Sequence, residues 1–428
     1  MLRRPNLVFI LADDLGWGDL SCYGRPDYAT PHLDRLASEG MRLTDCYSAS
    51  ATCSPTRIAL LTGRYPARHP AGLPEPILPE WPGGDVGLEP SFPSLPALLG
   101  QSGYRTALFG KWHCGAAPAF GPLKSGFDEY FGIDGAGAGY FNHVDQYGDP
   151  QLYEGDTSVK VNGYLTDLLT ERACEFVRRD HDQPFYLSLH YTAPHWPWEA
   201  PYDVDRAATR LPTTNGGSIQ VFAAMVRALD AGVGRVMAAL AESGRDHDTL
   251  VVFTSDNGGE RYSYHYPLTG HIRLLREGGI RVPGIARWPG AIPAGQSSRQ
   301  AVITMDWTAT FLAWAGASAD SRFAPDGVSL VDLLTGASTG FDRTLYWRTM
   351  RMDAARRGPW KYWRNLDDGR ECLFNLVQDI REYNDFRESR ADIFESLKAA
   401  FVEWEGAMLP RPPVQPLSHT PGLDFHIY

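Results

Sequence analysis

Asn6-Leu7-Val8-Phe9-Ile10-Leu11-Ala12-Asp13-Asp14 is the stretch from which the fold can be read. The run up to Ala12 is strand-length and almost wholly apolar, the pattern of a parallel strand buried on both faces. It ends in two adjacent carboxylates, and open α/β sheets place their ligands at the carboxyl ends of such strands. Neighbouring carboxylates repel unless something positive offsets them, and a divalent cation is the simplest candidate. A solvated turn would carry the same pair, so the rest of the chain has to decide.

Leu250-Val251-Val252-Phe253-Thr254 repeats the pattern and ends in Ser255-Asp256-Asn257-Gly258-Gly259. A bare Asp-Asn-Gly reads as a turn. At the tip of a second buried strand its oxygens become candidate metal ligands, with glycines that let the backbone turn close to an ion. Tyr104–Phe109 and Pro184–Tyr191 are further strands, leading to Gly110-Lys111-Trp112-His113 and to Thr192-Ala193-Pro194-His195. Alternation places Lys111 and His113 on one side of an extended segment. Arg42 to Ser50 reads as another strand, delivering Cys53 to the edge that carries Asp13.

Helices are expected from Pro31 after Thr30 as N-cap, over Ser94–Gln101 and Tyr164–Arg179, over Ser218–Ser243, and over Asp306–Ala315. The alternation predicts an α/β protein: a large mixed, mostly parallel sheet flanked by helices over residues 1–340. Residues 341–428 form a small C-terminal α+β subdomain, with short aromatic strands around Tyr346, Lys361 and Leu373 in an antiparallel sheet and a helix at Ala391–Trp404. The Pro-rich end from Leu409 is expected to be extended, reaching back over the large domain or over a neighbour. Pro66–Pro93 has no period and reads as a surface loop near the mouth of a site.

Composition narrows the possibilities. A net charge of −11 disfavours nucleic acid, which needs clustered Lys and Arg, while leaving room for a local cationic pocket. No apolar run approaches a membrane span, so no membrane partner is expected. Cys22, Cys46, Cys53, Cys114, Cys174 and Cys372 show neither metal-ligand spacing nor a disulfide framework. Met1-Leu2-Arg3-Arg4-Pro5 is not a secretory signal, so a cytoplasmic location is expected for the chain as given, or a periplasmic or secreted one if a leader was removed.

The remaining stretch is Cys53-Ser54-Pro55-Thr56-Arg57, continued by Ile58 to Gly63 and Arg64. Pro55 suits a first helical turn and Gly63 stops the helix. Cys53 then lies at a helix N-terminus, where free N–H groups and the dipole favour an anion, with Arg57 one turn on. Alone, this would be a buried cysteine before an ordinary helix. The whole run, however, resembles the C-x-P-S-R-x-x-x-L-T-G-R signature of the type I sulfatases of the alkaline phosphatase superfamily. Every fixed position matches except Thr56, where serine is usual. Asp13-Asp14, Gly110 to His113, His195, Asp256-Asn257 and Glu277 to Pro283 follow the family order over nearly the whole chain. One departure is Ile272, where the family carries a lysine five residues before its glutamate. His271 and Arg273 flank it; either supplies the missing positive charge after a local backbone shift, or both are surface residues.

The resemblance implies a sulfatase-like fold with substrate-shaping loops between Gly115 and Lys160. It implies that a formylglycine-generating enzyme, a transient partner, oxidises Cys53 to formylglycine (3-oxoalanine), whose hydrated aldehyde attacks the ester. Asp13, Asp14, Asp256 and Asn257, with position 53, would hold one divalent metal; hard oxygen ligands suit Ca2+ best, with Mg2+ or Mn2+ behind. Arg57, Lys111, His113 and His195 would be catalytic, and Lys111, His195, His271 and Arg273 would contact substrate. The implied reaction is hydrolysis of an aryl or carbohydrate sulfate ester. Ile272 keeps open a phosphodiesterase or phosphonate monoester hydrolase on the same nucleophile, and an inactive scaffold with unmodified Cys53 is a third reading. Tyr140, Phe141, Trp196, Trp198, Tyr262 and Tyr264 either stack on a sugar or aryl ring or pack the interior. The natural alcohol and the oligomeric state stay open.

Overall fold

In the computed structural model, which describes residues 4–78, 85–207 and 209–412, the first strand is Asn6–Asp13. Leu7, Phe9 and Leu11 leave it toward one layer of helices and Val8, Ile10 and Ala12 toward another, all with no exposure. The first set packs with Ile58, Leu60, Trp307 and Phe311 of the helices Cys53–Thr62 and Thr304–Ala315. The second packs with Leu169, Val226 and Leu229 of the helices Leu165–Arg178 and Ile219–Glu242. Burial of such side chains is worth roughly 1.5–3 kcal/mol each, which is why a strand apolar on both sides takes the centre of a three-layer sandwich.

The main sheet has ten strands. Asn6–Asp13 lies between Thr249–Ser255 and Phe185–Pro194, parallel to both, and Arg105–Gly110 and Glu129–Ile133 continue the parallel run. Gly284–Arg287 and Leu152–Glu154 are antiparallel additions toward the edges. Ala12 pairs with Ser255 and Asp13 with Pro194, so Asp13-Asp14, Asp256-Asn257 and His195 emerge from one edge.

Three expectations are corrected. Arg42–Ser50 is not one strand: Met41–Leu43 belongs to the main sheet and Cys46–Tyr47 to a separate three-stranded sheet. The break falls where buried Asp45 turns to accept hydrogen bonds from Arg281 and Arg356. Lys111 to His113 do not form one extended segment, because the strand ends at Gly110 and His113 adopts a left-handed φ of 52°. Gly115–Lys160 is not loop alone, since Glu129–Ile133, Leu152–Glu154 and Thr157–Ser158 extend the main sheet.

Thr344–Arg348, Met352–Arg357, Trp360–Asn365 and Glu371–Asn375 form a four-stranded antiparallel meander, covered by the helix Ala391–Gly406 through Phe394, Leu397 and Phe401. Its other face shares a core with the large sheet's side: Trp347, Trp363 and Phe374 pack with Tyr47, Ala59, Leu275 and Ile303. A buried ion-pair network reinforces the contact. Lys361 Nζ donates to Glu277 Oε1 at 2.9 Å and lies 2.9 Å from Glu382 Oε1. Glu382 Oε2 accepts the Glu277 N–H at 2.7 Å, and none of the Lys361, Glu277 and Glu382 side chains has any exposure. Leu409 reaches back to the large part of the chain, donating its N–H to the Ala67 carbonyl at 2.9 Å; the rest of the Pro-rich end, from residue 413, lies outside the described residues. No described helix is long and apolar enough to cross a membrane.

Candidate active site

The helix Cys53–Thr62 starts at the sheet edge where the strand tips gather. Thr52 is extended and makes no side-chain cap, and Gly63 ends the helix at φ 69°, a left-handed turn that glycine takes without strain. Uncapped N–H groups at that start favour an anion or a polarised oxygen at position 53. Thr56, the departure from serine, uses its hydroxyl to bridge the Ser50 N–H (3.1 Å) and carbonyl (3.2 Å), a task either hydroxyl residue performs. Ser54 Oγ accepts the Ile77 N–H at 2.7 Å, which brings the loop after Pro66 against the helix start.

Asp13 and Asp14 diverge because Asp14 takes a left-handed φ of 59°, which Asp tolerates better than most residues. Asp13 accepts Lys111 Nζ at 3.0 and 2.7 Å through its two oxygens. Asp256 Oδ2 receives Arg57 Nε at 3.2 Å and Nη2 at 2.8 Å, and Asp256 Oδ1 the Asp14 N–H at 3.2 Å. Asn257 Nδ2 donates to Asp14 Oδ1 at 2.6 Å, which aims the amide oxygen the other way. Asn257 Oδ1 and Asp14 Oδ2 are then buried with no hydrogen-bond partner. Donor atoms of Asp13, Asp14 and Cys53 lie within 4.8 Å of one another. Bare buried acceptors around a carboxylate pair fit a hard cation; the sulfur is the mismatched member, and an oxygen at position 53 would make the donor set uniform. Burial, then the neighbouring acid groups Asp256 and Asp13, push Asp14 and Asp256 each up to about 6, the strain a cation would relieve. Gly258 also answers a packing need: a Cβ there would meet the Gly278 carbonyl oxygen at 1.9 Å, so the glycine admits the Glu277 loop.

Around this cradle stand the basic groups. Arg57 is wholly buried and also donates to the Lys111 carbonyl at 2.9 Å. Burial opposes its charge and that of Lys111, but the carboxylates Asp256 and Asp13 outweigh it and hold both cations above their usual range. Burial pushes the Cys53 thiol well up, so as a thiol it is a poor nucleophile. His113 Nε2 faces the Ile77 carbonyl at 2.9 Å and so carries the proton, leaving Nδ1 as a buried lone pair with no partner. His195 Nδ1 likewise donates to the Trp196 carbonyl, and its Nε2 lies 3.8 Å from Asp14 Oδ2. Burial lowers both imidazoles, keeping them neutral.

Asp13, Asp14, Arg57, Lys111, Asp256 and Asn257 are thus joined by direct contacts, with the Cys53 sulfur within 4.8 Å of the Asp13 and Asp14 donor atoms and His113 and His195 within electrostatic range. The Ile272 region divides its two candidates. Ile272 is in the core at 8 % exposure. Arg273 is exposed, takes a left-handed φ of 73°, and donates its N–H to the Ala51 carbonyl at 2.7 Å; its charge lowers Asp14. His271 turns Nδ1 to the Ile272 carbonyl at 2.9 Å. Among the aromatics Tyr140 and Trp198 are buried packing, while Phe141, Trp196, Tyr262 and Tyr264 keep partial exposure. Two residues escaped the sequence reading. His190 joins the network, with Nδ1 3.2 Å from Arg57 Nη1 and Nε2 2.8 Å from Ser188 Oγ; a histidine inside an apolar buried strand was its signal. Glu260, one residue past the Gly258-Gly259 turn, had none.

Comparison with known proteins settles the class. Residues 5–317 match the family model described as Sulfatase, and the chain belongs to that family of sulfuric ester hydrolases. It is 36% identical over 389 residues to the N-acetylgalactosamine-6-sulfatase of Rattus norvegicus, covering 84% of this chain and 71% of that one. It is 34% identical over 391 residues to arylsulfatase A of Homo sapiens, covering 83% and 72%. The fold superposes with a TM-score of 0.86, at 31% identity and over 97% of this chain and 96% of the other, on a crystal structure of Ps i-CgsB in complex with k-i-k-neocarrahexaose.

Proposed function

We propose that the chain hydrolyses sulfate monoesters of a carbohydrate, with an oxidised Cys53 as nucleophile and one divalent cation held by Asp13, Asp14, Asp256 and Asn257. The observation that carries this reading is the pair of bare buried oxygens, Asp14 Oδ2 and Asn257 Oδ1, beside Asp13 and the start of the Cys53 helix. Leaving such acceptors unsatisfied is costly, and a cation satisfies both. All-oxygen donors fit Ca2+ first, with Mg2+ and Mn2+ after it; a cation there supplies a Lewis acid for the ester oxygens. Formylglycine at position 53 supplies, once hydrated, an oxygen nucleophile that a buried protonated thiol cannot.

The chain's own groups do the rest. Arg57, fixed by Asp256 and the Lys111 carbonyl, sets a positive charge one turn beyond position 53. The Lys111 ammonium has three donors, of which Asp13 leaves capacity for a sulfate oxygen. His113 Nδ1, the bare lone pair, receives the proton of the hydroxyl at position 53. His195 is held by Trp196 through its Nδ1–H, so Nε2 is the lone pair that takes up a proton when the anionic ester raises the imidazole's basicity, and hands it to the departing alcohol. Arg273 adds the positive charge that Ile272 lacks. A sugar as the alcohol is supported by the names of the relatives, one an N-acetylgalactosamine-6-sulfatase and one a structure holding a neocarrahexaose.

The mass of the Cys53 peptide, from protein made with and without a formylglycine-generating enzyme, tests the nucleophile: replacement of sulfur by oxygen should track activity. Parallel assays with 4-nitrophenyl sulfate and bis(4-nitrophenyl) phosphate test the substrate. The departure at Ile272 favours the phosphodiester reading, and faster turnover of the phosphate would establish it in place of the sulfate one.

A further inference from the structure

Glu260 stands apart from the groups used so far. It follows the Asp256–Gly259 turn, and its backbone carbonyl accepts the Ser263 N–H at 2.9 Å, closing a tight loop. The residue is half-buried, and its Oε2 is buried with no hydrogen-bond partner. The titratable and charged groups facing it are Asp14, His195, Arg273 and Arg261. Glu260 is not among the carboxylate and thiol donors that lie within 4.8 Å of one another, namely Asp13, Asp14 and Cys53, so it is set back from the cation cradle. His195 and Arg273, which the reading above sets against the departing alcohol and the substrate anion, face it instead, which points to the alcohol side of the ester.

An acceptor oxygen left bare at that place rejects some alcohols and favours others. Burial holds its carboxyl up at about 7, so above that pH it repels a second anionic group, and it rewards a donor, because a buried acceptor that stays unpaired is costly. A site built to pair with a hydroxyl discriminates sharply against analogues that lack it. Purely structural duty explains the residue less well, since neither neighbouring arginine closes a hydrogen bond on Oε2.

We propose that Glu260 is a specificity-determining residue that accepts a hydrogen bond from a hydroxyl or amide N–H close to the sulfated carbon. The site thereby selects carbohydrate sulfates over simple aryl sulfates, and disfavours sugars carrying a second sulfate beside the first. This rests on the sulfate-ester reading above.

The test uses full-length protein whose Cys53 peptide mass shows the modification. Wild type, Glu260→Ala and Glu260→Gln are assayed on 4-nitrophenyl sulfate, on galactose 6-sulfate, on the 4- and 6-sulfates of N-acetylgalactosamine, and on its 4,6-disulfate. The quantity read is the ratio of kcat/KM for the best sugar monosulfate to that for the aryl ester. It should fall at least tenfold in Glu260→Ala and less in Glu260→Gln, which keeps a neutral acceptor, while the disulfate gains relative to the monosulfates in both. A ratio that does not fall, including equal losses on both ester types, overturns the assignment. Failure of the underlying reading looks different: modified wild type would hydrolyse none of the sulfates, and the assignment would fall with it. Melting temperatures of the three proteins exclude misfolding as the source of any change.

Discussion

Replacing Lys361 by methionine removes the cation that two buried carboxylates share while keeping most of the side chain's apolar length. Glu277 would retain Arg281 Nη1 at 3.3 Å and the Tyr47 hydroxyl at 2.6 Å. Glu382 would retain only contacts with backbone groups and Thr269. Breaking a buried ion pair by removing one partner costs about 3–5 kcal/mol, because the remaining charge is stranded away from water. Unfolding entropy of about 2.1 cal/mol/K per residue gives about 0.9 kcal/mol/K for a chain of this length, so the melting temperature should fall by about 3–6 °C. Differential scanning calorimetry at pH 7.5 reads this directly. Adding Glu382→Gln to Lys361→Met should restore at least a third of the loss, since it discharges the stranded group. Melting of Lys361→Met within 1 °C of wild type, or additive losses in the double variant, would refute the view that this network ties the C-terminal sheet to the Glu277 loop.

Four further outcomes are expected. Cys53→Ala should abolish turnover of 4-nitrophenyl sulfate with an unchanged circular dichroism spectrum, and retained hydrolysis would remove the nucleophile from the mechanism. Arg57→Lys, which cannot reproduce the two-pronged contact with Asp256, should lower kcat by about 10²–10³-fold; a change under threefold contradicts the role given to the guanidinium. Arg273→Gly tolerates the φ of 73° and should raise KM about tenfold, reported by steady-state kinetics, if the guanidinium meets the substrate anion. The cradle also has a pH signature. Burial and mutual repulsion raise Asp14 and Asp256 to about 6 in the metal-free protein, from 3.8. A raised folded-state value means stability present below about 4 and lost as pH climbs through about 6. Chelated protein should therefore lose melting temperature between pH 4 and 7 while Ca2+-loaded protein does not, and Ca2+ affinity should weaken below pH 6 as protons compete. Parallel melting curves for both forms would contradict this.

Much of the fold was legible because its central strands are apolar on both faces, a pattern that has few other uses in a chain of this composition. Asp13-Asp14 and Asp256-Asn257 could be assigned to one edge because each ends such a strand, and parallel strands deliver their ends together. What stayed hidden depends on contacts far apart in sequence. Nothing local to Thr44-Asp45 announces that Arg281 and Arg356 will bend the chain out of the sheet there. Ile272 was visible as an anomaly, but the left-handed turn that redirects Arg273 belongs to backbone geometry, which residue type alone does not encode. His190 is the instructive omission: an imidazole in an otherwise greasy strand must find polar partners, and these turned out to be Arg57 and Ser188.

Because Ala12 faces Ser255 across two adjacent parallel strands, the ion cradle is a matter of register. One residue inserted into either strand would carry half the donors to the wrong side, whereas the connections past Gly115 and Trp196 can lengthen without disturbing it. Evolution, or a laboratory seeking new sugars, is therefore free to rewrite those connections and obliged to copy the strand ends unchanged.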